Sequence, residues 1–221
     1  MFTVAIDGPS GAGKSTIARK AAEKLGFIYV DTGALYRAVG LFCVRKGIDT
    51  KNHSEVGCVM DEIDVTLAID GKKGQRVILC GEDVSDIIRT PEISMAASNV
   101  SAVPKVREGL LSLQRDMAET NRVIMDGRDI GTVIFPNADI KIFLTASVED
   151  RARRRHEELL GKGQQSDYGQ VLSDMIQRDK NDSTRDAAPL KPSDDAIVVD
   201  TTGNELEKSV SIILEIIEAK I

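Results

Sequence analysis

Residues 2–26 read FTVAIDGPSGAGKSTIARKAAEKLG, and the order of their three parts decides the fold. A short apolar run over 2–7 suits a buried strand. Residues 8–15 are glycine-rich, and Ile17, Ala18, Ala21, Ala22 and Leu25 then follow at helical spacing until Gly26 ends the helix. The middle part, GPSGAGKS, matches the G-x-x-x-x-G-K-[ST] phosphate loop. It stands between a strand and a helix, as the motif requires, because its glycines let backbone N–H groups and the helix N-terminus close around phosphate oxygens. Gly8, Pro9, Ser10, Gly11, Ala12, Gly13, Lys14, Ser15 and Thr16 form the expected cradle. Lys14 is expected to reach the β and γ phosphates and Ser15 to bind Mg2+ through its hydroxyl.

Outward from this unit, apolar runs recur at 27–30, 122–125, 140–144 and 196–199, separated mostly by helical patterns. Strands alternating with helices indicate an α/β fold with a five-stranded parallel sheet flanked by helices, and continuous apolar runs suit strands covered on both faces. One region departs from this pattern. VTLAID at 65–70, a turn over 71–74 and QRVILC at 75–80 predict a small antiparallel hairpin inserted in the core. Thr90, Pro91 and Glu92 predict a helix start, and Pro104 another. Ser147 with Asp150 predicts a capping box before RARRRHEELL, which stops at GKG. The last helix places Leu206, Val210, Ile213, Leu214 and Ile217 on one face, as core.

At 221 residues, 42% hydrophobic and 29% charged, the chain has the composition of one large globular domain with small insertions, and disorder is not expected. No basic leader with a long apolar run occurs, so a cytoplasmic protein with no membrane association is expected. The net charge of −6 argues against broad affinity for nucleic acid or anionic lipid, and leaves a small phosphate ligand open. Cys43, Cys58 and Cys80 lack a CxxC pairing, and His53 and His156 are far apart, which disfavours a Cys/His metal site. Arg151, Arg153, Arg154 and Arg155 form a local basic run that, by itself, reads as a solvated helix face.

Phosphate loops serve many functions, so the rest of the chain must select among them. No guanine-reading NKxD and no LSGGQ occur, and DTTG at 200–203 lies after the last strand. Residues suited to a second substrate are plentiful. DTGALYR at 31–37 and VIMDGRDIGTV at 123–133 put Asp31, Thr32, Asp126, Arg128 and Asp129 at the carboxyl ends of two strands, where open α/β sheets bind ligands. The residues alone leave capping open for Asp31 and Thr32, a surface position for Arg37, and a plain i,i+4 ion pair for Arg178 with Asp182.

Taken in order, GPSGAGKS, DTGALYR, SNVSAVPKVRE, DGRDIGTVIFP and RDKNDSTRDAAPL resemble the bacterial cytidylate kinases over nearly the whole chain, the hairpin included. DGRDxGT followed by RDxxDxxR is far more specific than the phosphate loop. Thr32 stands where some members have serine, and keeps the hydroxyl. The resemblance implies a phosphate-loop kinase core over about 1–35, 100–150 and 166–221, a monophosphate-binding insertion over about 36–99 and a mobile lid over about 151–165. It implies transfer of the γ-phosphoryl of ATP to CMP or dCMP by a monomer, with Mg2+ held at Ser15 and, through water, at Asp126. Arg37 and Arg128 would hold the acceptor phosphate. Thr32, Arg107, Asp129 and Arg185 would surround cytosine, with Ser98, Arg178 and Asp182 near the sugar. Lys14, Arg128, Arg185 and the lid residue Arg154 would act in transfer. The chemistry is coherent, since two polyanions approach in line and fixed cations must offset their repulsion. A carboxylate such as Asp129 can accept from the cytosine amino group, where uracil presents an oxygen. Two other readings stand beside this one: a kinase for another small acceptor such as UMP, and a non-catalytic ATP-binding module.

Overall fold

The apolar runs become strands because helices cover both faces of the sheet they form. The computed structural model describes residues 2–70, 74–119 and 121–221. In chain order the elements are β1 (Phe2–Asp7), α1 (Lys14–Leu25), β2 (Ile28–Asp31), α2 (Gly33–Arg45), α3 (His53–Cys58), β3 (Val65–Asp70), β4 (Gly74–Leu79) and β5 (Glu82–Asp83). They continue with α4 (Pro91–Val100), α5 (Pro104–Asp116), β6 (Arg122–Gly127), β7 (Ile140–Thr145), α6 (Val148–Gly161), α7 (Tyr168–Thr184), β8 (Ile197–Asp200) and α8 (Leu206–Glu218). A five-stranded sheet has the order β2-β6-β1-β7-β8, and every pairing in it is parallel. Its register sets Asp7 beside Gly127 and Asp31 beside Asp126, so β1, β2 and β6 end level with one another. That level edge carries the site.

On one face, Ile17 and Ala21 of α1 and Val210, Ile213 and Ile217 of α8 pack on Val4, Ile6, Ile124 and Ile142. On the other, Ala5, Val30 and Met125 meet Ile130 and Ile134 of a single π turn, Ile130–Ile134. α2 is apolar almost all round. Leu35, Val39 and Cys43 face Val100, Val106 and Leu110, while Ala38, Leu41 and Phe42 face Val77, Leu79 and Val84 of the antiparallel sheet β3-β4-β5. Each large side chain buried in this way contributes about 1.5–3 kcal/mol, which fastens the insertion to the core through α2. Between residues 34 and 43, every residue but Arg37 is buried.

Local signals set the helix ends. Thr90 Oγ1 accepts from Ile93 N, Gly26 closes α1 in the left-handed conformation at φ 67°, and Ser147 Oγ accepts from Asp150 N. The reciprocal half of that capping box is replaced, because the Asp150 carboxylate pairs with Arg153 and Arg154 instead. Leu206 is 40% exposed and not part of the core, since it opens α8 at the rim of a cavity. The hairpin turn expected over 71–74 falls, for 71–73, outside the described residues. No helix among the described residues is long and apolar enough to cross a membrane.

Candidate active site

The phosphate loop leaves β1 through Gly8, whose φ is 147°. A Cβ there would stand 1.9 Å from the Leu144 carbonyl oxygen, so only glycine lets the loop pass β7 so closely. Gly13 caps α1 at φ 88° with no side-chain hydrogen bond, leaving the first N–H groups of the helix open. Lys14 is buried, and its ammonium donates to the Pro9 carbonyl at 2.6 Å. Burial, and next the nearby Arg128 charge, lower its pKa well below the usual lysine value. A bound polyanion is the counter-charge that such an ammonium lacks.

Ser15 Oγ donates to Asp126 Oδ2 at 2.8 Å, and the Tyr29 hydroxyl donates to Oδ1 at 2.9 Å. Burial and the neighbouring Asp31 push Asp126 up to about 6. Asp31 is buried too, but Arg37 at 2.6 Å and Arg89 at 4.0 Å outweigh that burial and hold its carboxyl below the ordinary value. The Thr32 hydroxyl donates to the Asp126 carbonyl at 2.9 Å. Asp7, at the end of β1, is raised to about 7 by its burial.

Beyond β6 lies a second charged cluster. Arg107 donates to Asp129, and Arg185 stands 3.9 Å from the same carboxylate. Arg128 Nε donates to Asp182 Oδ2 at 3.0 Å, the Ser98 hydroxyl donates to Oδ1 at 2.8 Å, and Arg178 lies 4.0 Å away. Arg178 also donates to Ser10 Oγ of the phosphate loop at 3.1 Å, which joins the two halves. Burial raises Asp129 despite its arginines, whereas Arg128, Arg178 and Arg185 outweigh burial at Asp182 and lower it. Burial and Arg128 bring Arg178 down to about 10. Four guanidinium groups thus face two carboxylates. The Nε atoms of Arg37 and Arg178, Arg185 Nη2 and the Tyr36 hydroxyl are buried without a hydrogen-bond partner.

One cavity of about 1290 Å³ joins these groups. Ser10, Gly11, Gly13, Lys14, Ser15 and Thr16 line it, together with Thr32, Arg37, Ser98, Arg107, Asp126, Arg128, Asp129, Arg178, Asp182 and Arg185. Gly8, Pro9 and Ala12 are not on its wall: Gly8 presses on Leu144, the Pro9 carbonyl serves Lys14, and Ala12 is fully buried. Arg154 lines the cavity on the phosphate-loop side, apart from the second cluster, and donates to the Thr201 carbonyl at 2.6 Å. Arg151 departs from the reading of its run as a solvated face. It is buried and donates to Ala146 O at 2.8 Å, Ser10 O at 2.9 Å and Asp179 at 2.6 Å, so it braces the loop from behind.

A family model described as cytidylate kinase matches residues 4–219. The chain belongs to the cytidylate kinase family. A cytidylate kinase of Carboxydothermus hydrogenoformans is 48% identical over 217 residues, covering 98% of this chain and 97% of that one. Another, of Pelotomaculum thermopropionicum, is 49% identical over 216 residues, covering 98% and 96%. A crystal structure of an uncharacterized protein from Eubacterium ventriosum has a TM-score of 0.54 at 14% identity, covering 99% of this chain and 98% of that one, and supports the fold alone.

In this cytidylate kinase family member, several side chains that shape the cavity were not singled out by sequence. Ser101 accepts from Arg185 through its hydroxyl at 2.7 Å and from Arg107 through its carbonyl at 3.2 Å. Gln75 reaches from β4 to hydrogen-bond both backbone groups of Asp31, and Tyr29 holds Asp126. Serine, glutamine and tyrosine in apolar or alternating stretches carry no signal of their own, and only the tertiary fold brings them to the charges. Among the described residues no group of three or more His, Cys, Asp or Glu side chains could hold a metal ion. The adjoining Ser15 hydroxyl and Asp126 carboxylate fit a hard cation that takes most of its oxygens from phosphate and water, as Mg2+ does.

Proposed function

We propose that this chain transfers the γ-phosphoryl of ATP to CMP or dCMP, giving ADP and CDP or dCDP. The observation that carries the proposal is the excess of positive charge, buried at Arg185 and half-buried at Arg107, Arg128 and Arg178, in the same cavity as the phosphate loop. Unbalanced buried charge is costly to a fold, and a dianionic acceptor phosphate would neutralise it.

In this reading the loop N–H groups and Lys14 hold the β and γ phosphates of ATP. Ser15 and, through water, Asp126 would hold Mg2+, which when bound offsets charge on the phosphate oxygens. Arg37 and Arg128 grip the acceptor phosphate, and Arg185 and Arg154 offset charge that develops between the two substrates. Asp129 accepts from the cytosine amino group, with Thr32 and Arg107 beside the base. Ser98, Arg178 and Asp182 face the sugar. Transfer is in line from the γ-phosphorus to an acceptor phosphate oxygen and needs no covalent enzyme intermediate. About 36–99 form the acceptor-binding part and about 151–165 the lid, which excludes water from ATP. In this reading the enzyme is a monomer of the cytoplasm.

A coupled assay of ADP release with Mg2+ and ATP tests this. ADP should form rapidly only when CMP or dCMP is added. Turnover that ignored every nucleoside monophosphate would overturn the proposal.

A further inference from the structure

Asp7 has no part in the transfer described so far, yet it is buried where the phosphate loop begins. Its two carboxylate oxygens each accept one backbone N–H, from Ile130 and from Gly131, both at 2.8 Å. These two N–H groups open the π turn Ile130–Ile134, whose own hydrogen bonds begin only with the N–H groups of Val133, Ile134 and Phe135. The first donors of a helical turn need an acceptor from outside, and an aspartate at the capping position ordinarily supplies it from its own side chain. Here the residue at that position is Asp129, and it makes no side-chain cap. Its carboxylate faces Arg107 and Arg185 instead.

We infer that Asp7 is a positioning residue for base selection: by capping the 130–134 turn from the neighbouring strand, it releases Asp129 to face the acceptor cavity. The inference rests on the proposed base-reading role of Asp129. The chemistry requires a carboxylate, because two parallel N–H donors need two acceptor oxygens and an amide has one. The position requires β1, since parallel pairing sets Asp7 beside Gly127, three residues before Ile130. Without Asp7 the open N–H groups would compete for the side chain at the capping position, Asp129, and draw it away from the base.

The test uses Asp7→Asn, with Asp7→Glu beside it, each checked for a wild-type circular dichroism spectrum. In Asp7→Asn the ratio of kcat/KM for CMP over UMP should fall by about tenfold or more, while KM for ATP stays within about twofold. In an Asp129→Asn background, adding Asp7→Asn should leave the ratio unchanged, since the group it positions is gone. An unchanged ratio in the single variant, or an equal further fall in the double variant, would overturn the inference. If Asp7→Asn does not fold, the same comparison is made with Asp7→Glu, which keeps both oxygens but shifts them by one methylene. The amide resonances of Ile130 and Gly131 in nucleotide-free protein give a readout independent of activity: they should move or lose exchange protection in Asp7→Asn, and no change would also overturn it. Failure of wild type to phosphorylate CMP at all would instead sink the proposed function and leave this amide result standing.

Discussion

The carboxylate of Asp126 accepts from Ser15 and Tyr29 while burial and Asp31 raise its pKa to about 6. A raised folded-state value means that the folded protein holds this proton more tightly than the unfolded chain does. Stability therefore falls as pH rises from about 4 to about 6, and above that range the ionised group costs the nucleotide-free protein up to about 3 kcal/mol. Asp126→Asn keeps groups able to bond both hydroxyls and removes the charge. Urea unfolding should show it more stable than wild type at pH 7.5, with only about a third of that advantage left at pH 4.5, while its Mg2+-dependent turnover drops. Equal stability at both values would contradict the assigned cause. Lys14 follows the same logic. Its buried ammonium has one carbonyl partner, so Lys14→Ala should lower kcat by about a hundredfold or more without lowering the unfolding midpoint. At Asp129 the Asn variant adds a donor where cytosine also presents one. CMP turnover should fall by the equivalent of about 1–3 kcal/mol and the gap to UMP should narrow, as measured by kcat/KM.

The inserted hairpin meets the core through a polar contact of Gln75 that acts like an added strand. Gln75 Oε1 accepts from Asp31 N at 2.7 Å, and Gln75 Nε2 donates to Asp31 O at 3.0 Å, on the open edge of β2. The Asp31 carboxylate in turn holds Arg37. Gln75→Leu removes both bonds, about 1 kcal/mol each, so KM for CMP should rise severalfold with KM for ATP little changed; equal shifts in both would show general loosening instead. Most elements were legible in sequence for a simple reason. Continuous apolar runs mark strands covered on both faces, and threonine, proline and glycine mark helix ends. What was not legible lacked a local signal. β5 is two exposed acidic residues, the π turn depends on Asp7 from another strand, and Arg151 looks like its neighbours until α7 supplies Asp179. A strand-end motif pointed to Arg128 and Asp129, whereas only the family resemblance pointed to Arg107 in α5 and Asp182 in α7. Their pairing with one another required the fold.

Across the whole molecule the net charge is −6, yet in the cluster beyond β6 four buried or half-buried guanidinium groups face two buried carboxylates. A chain that repels polyanions in general therefore has a place suited to them, and a ligand must be small enough for a cavity of about 1290 Å³ to use it. The phosphate loop supplies one end of that cavity, and strand ends of the same sheet supply the other. The most direct test of the account follows the label of γ-labelled ATP with CMP, dCMP, UMP and AMP as acceptors, with kcat/KM measured for each. The account predicts label in CDP and dCDP, with CMP favoured over UMP by at least about thirtyfold, because a buried carboxylate facing the uracil oxygen costs about 2 kcal/mol or more. Label transferred equally to UMP or AMP, or released only as free phosphate, would contradict it.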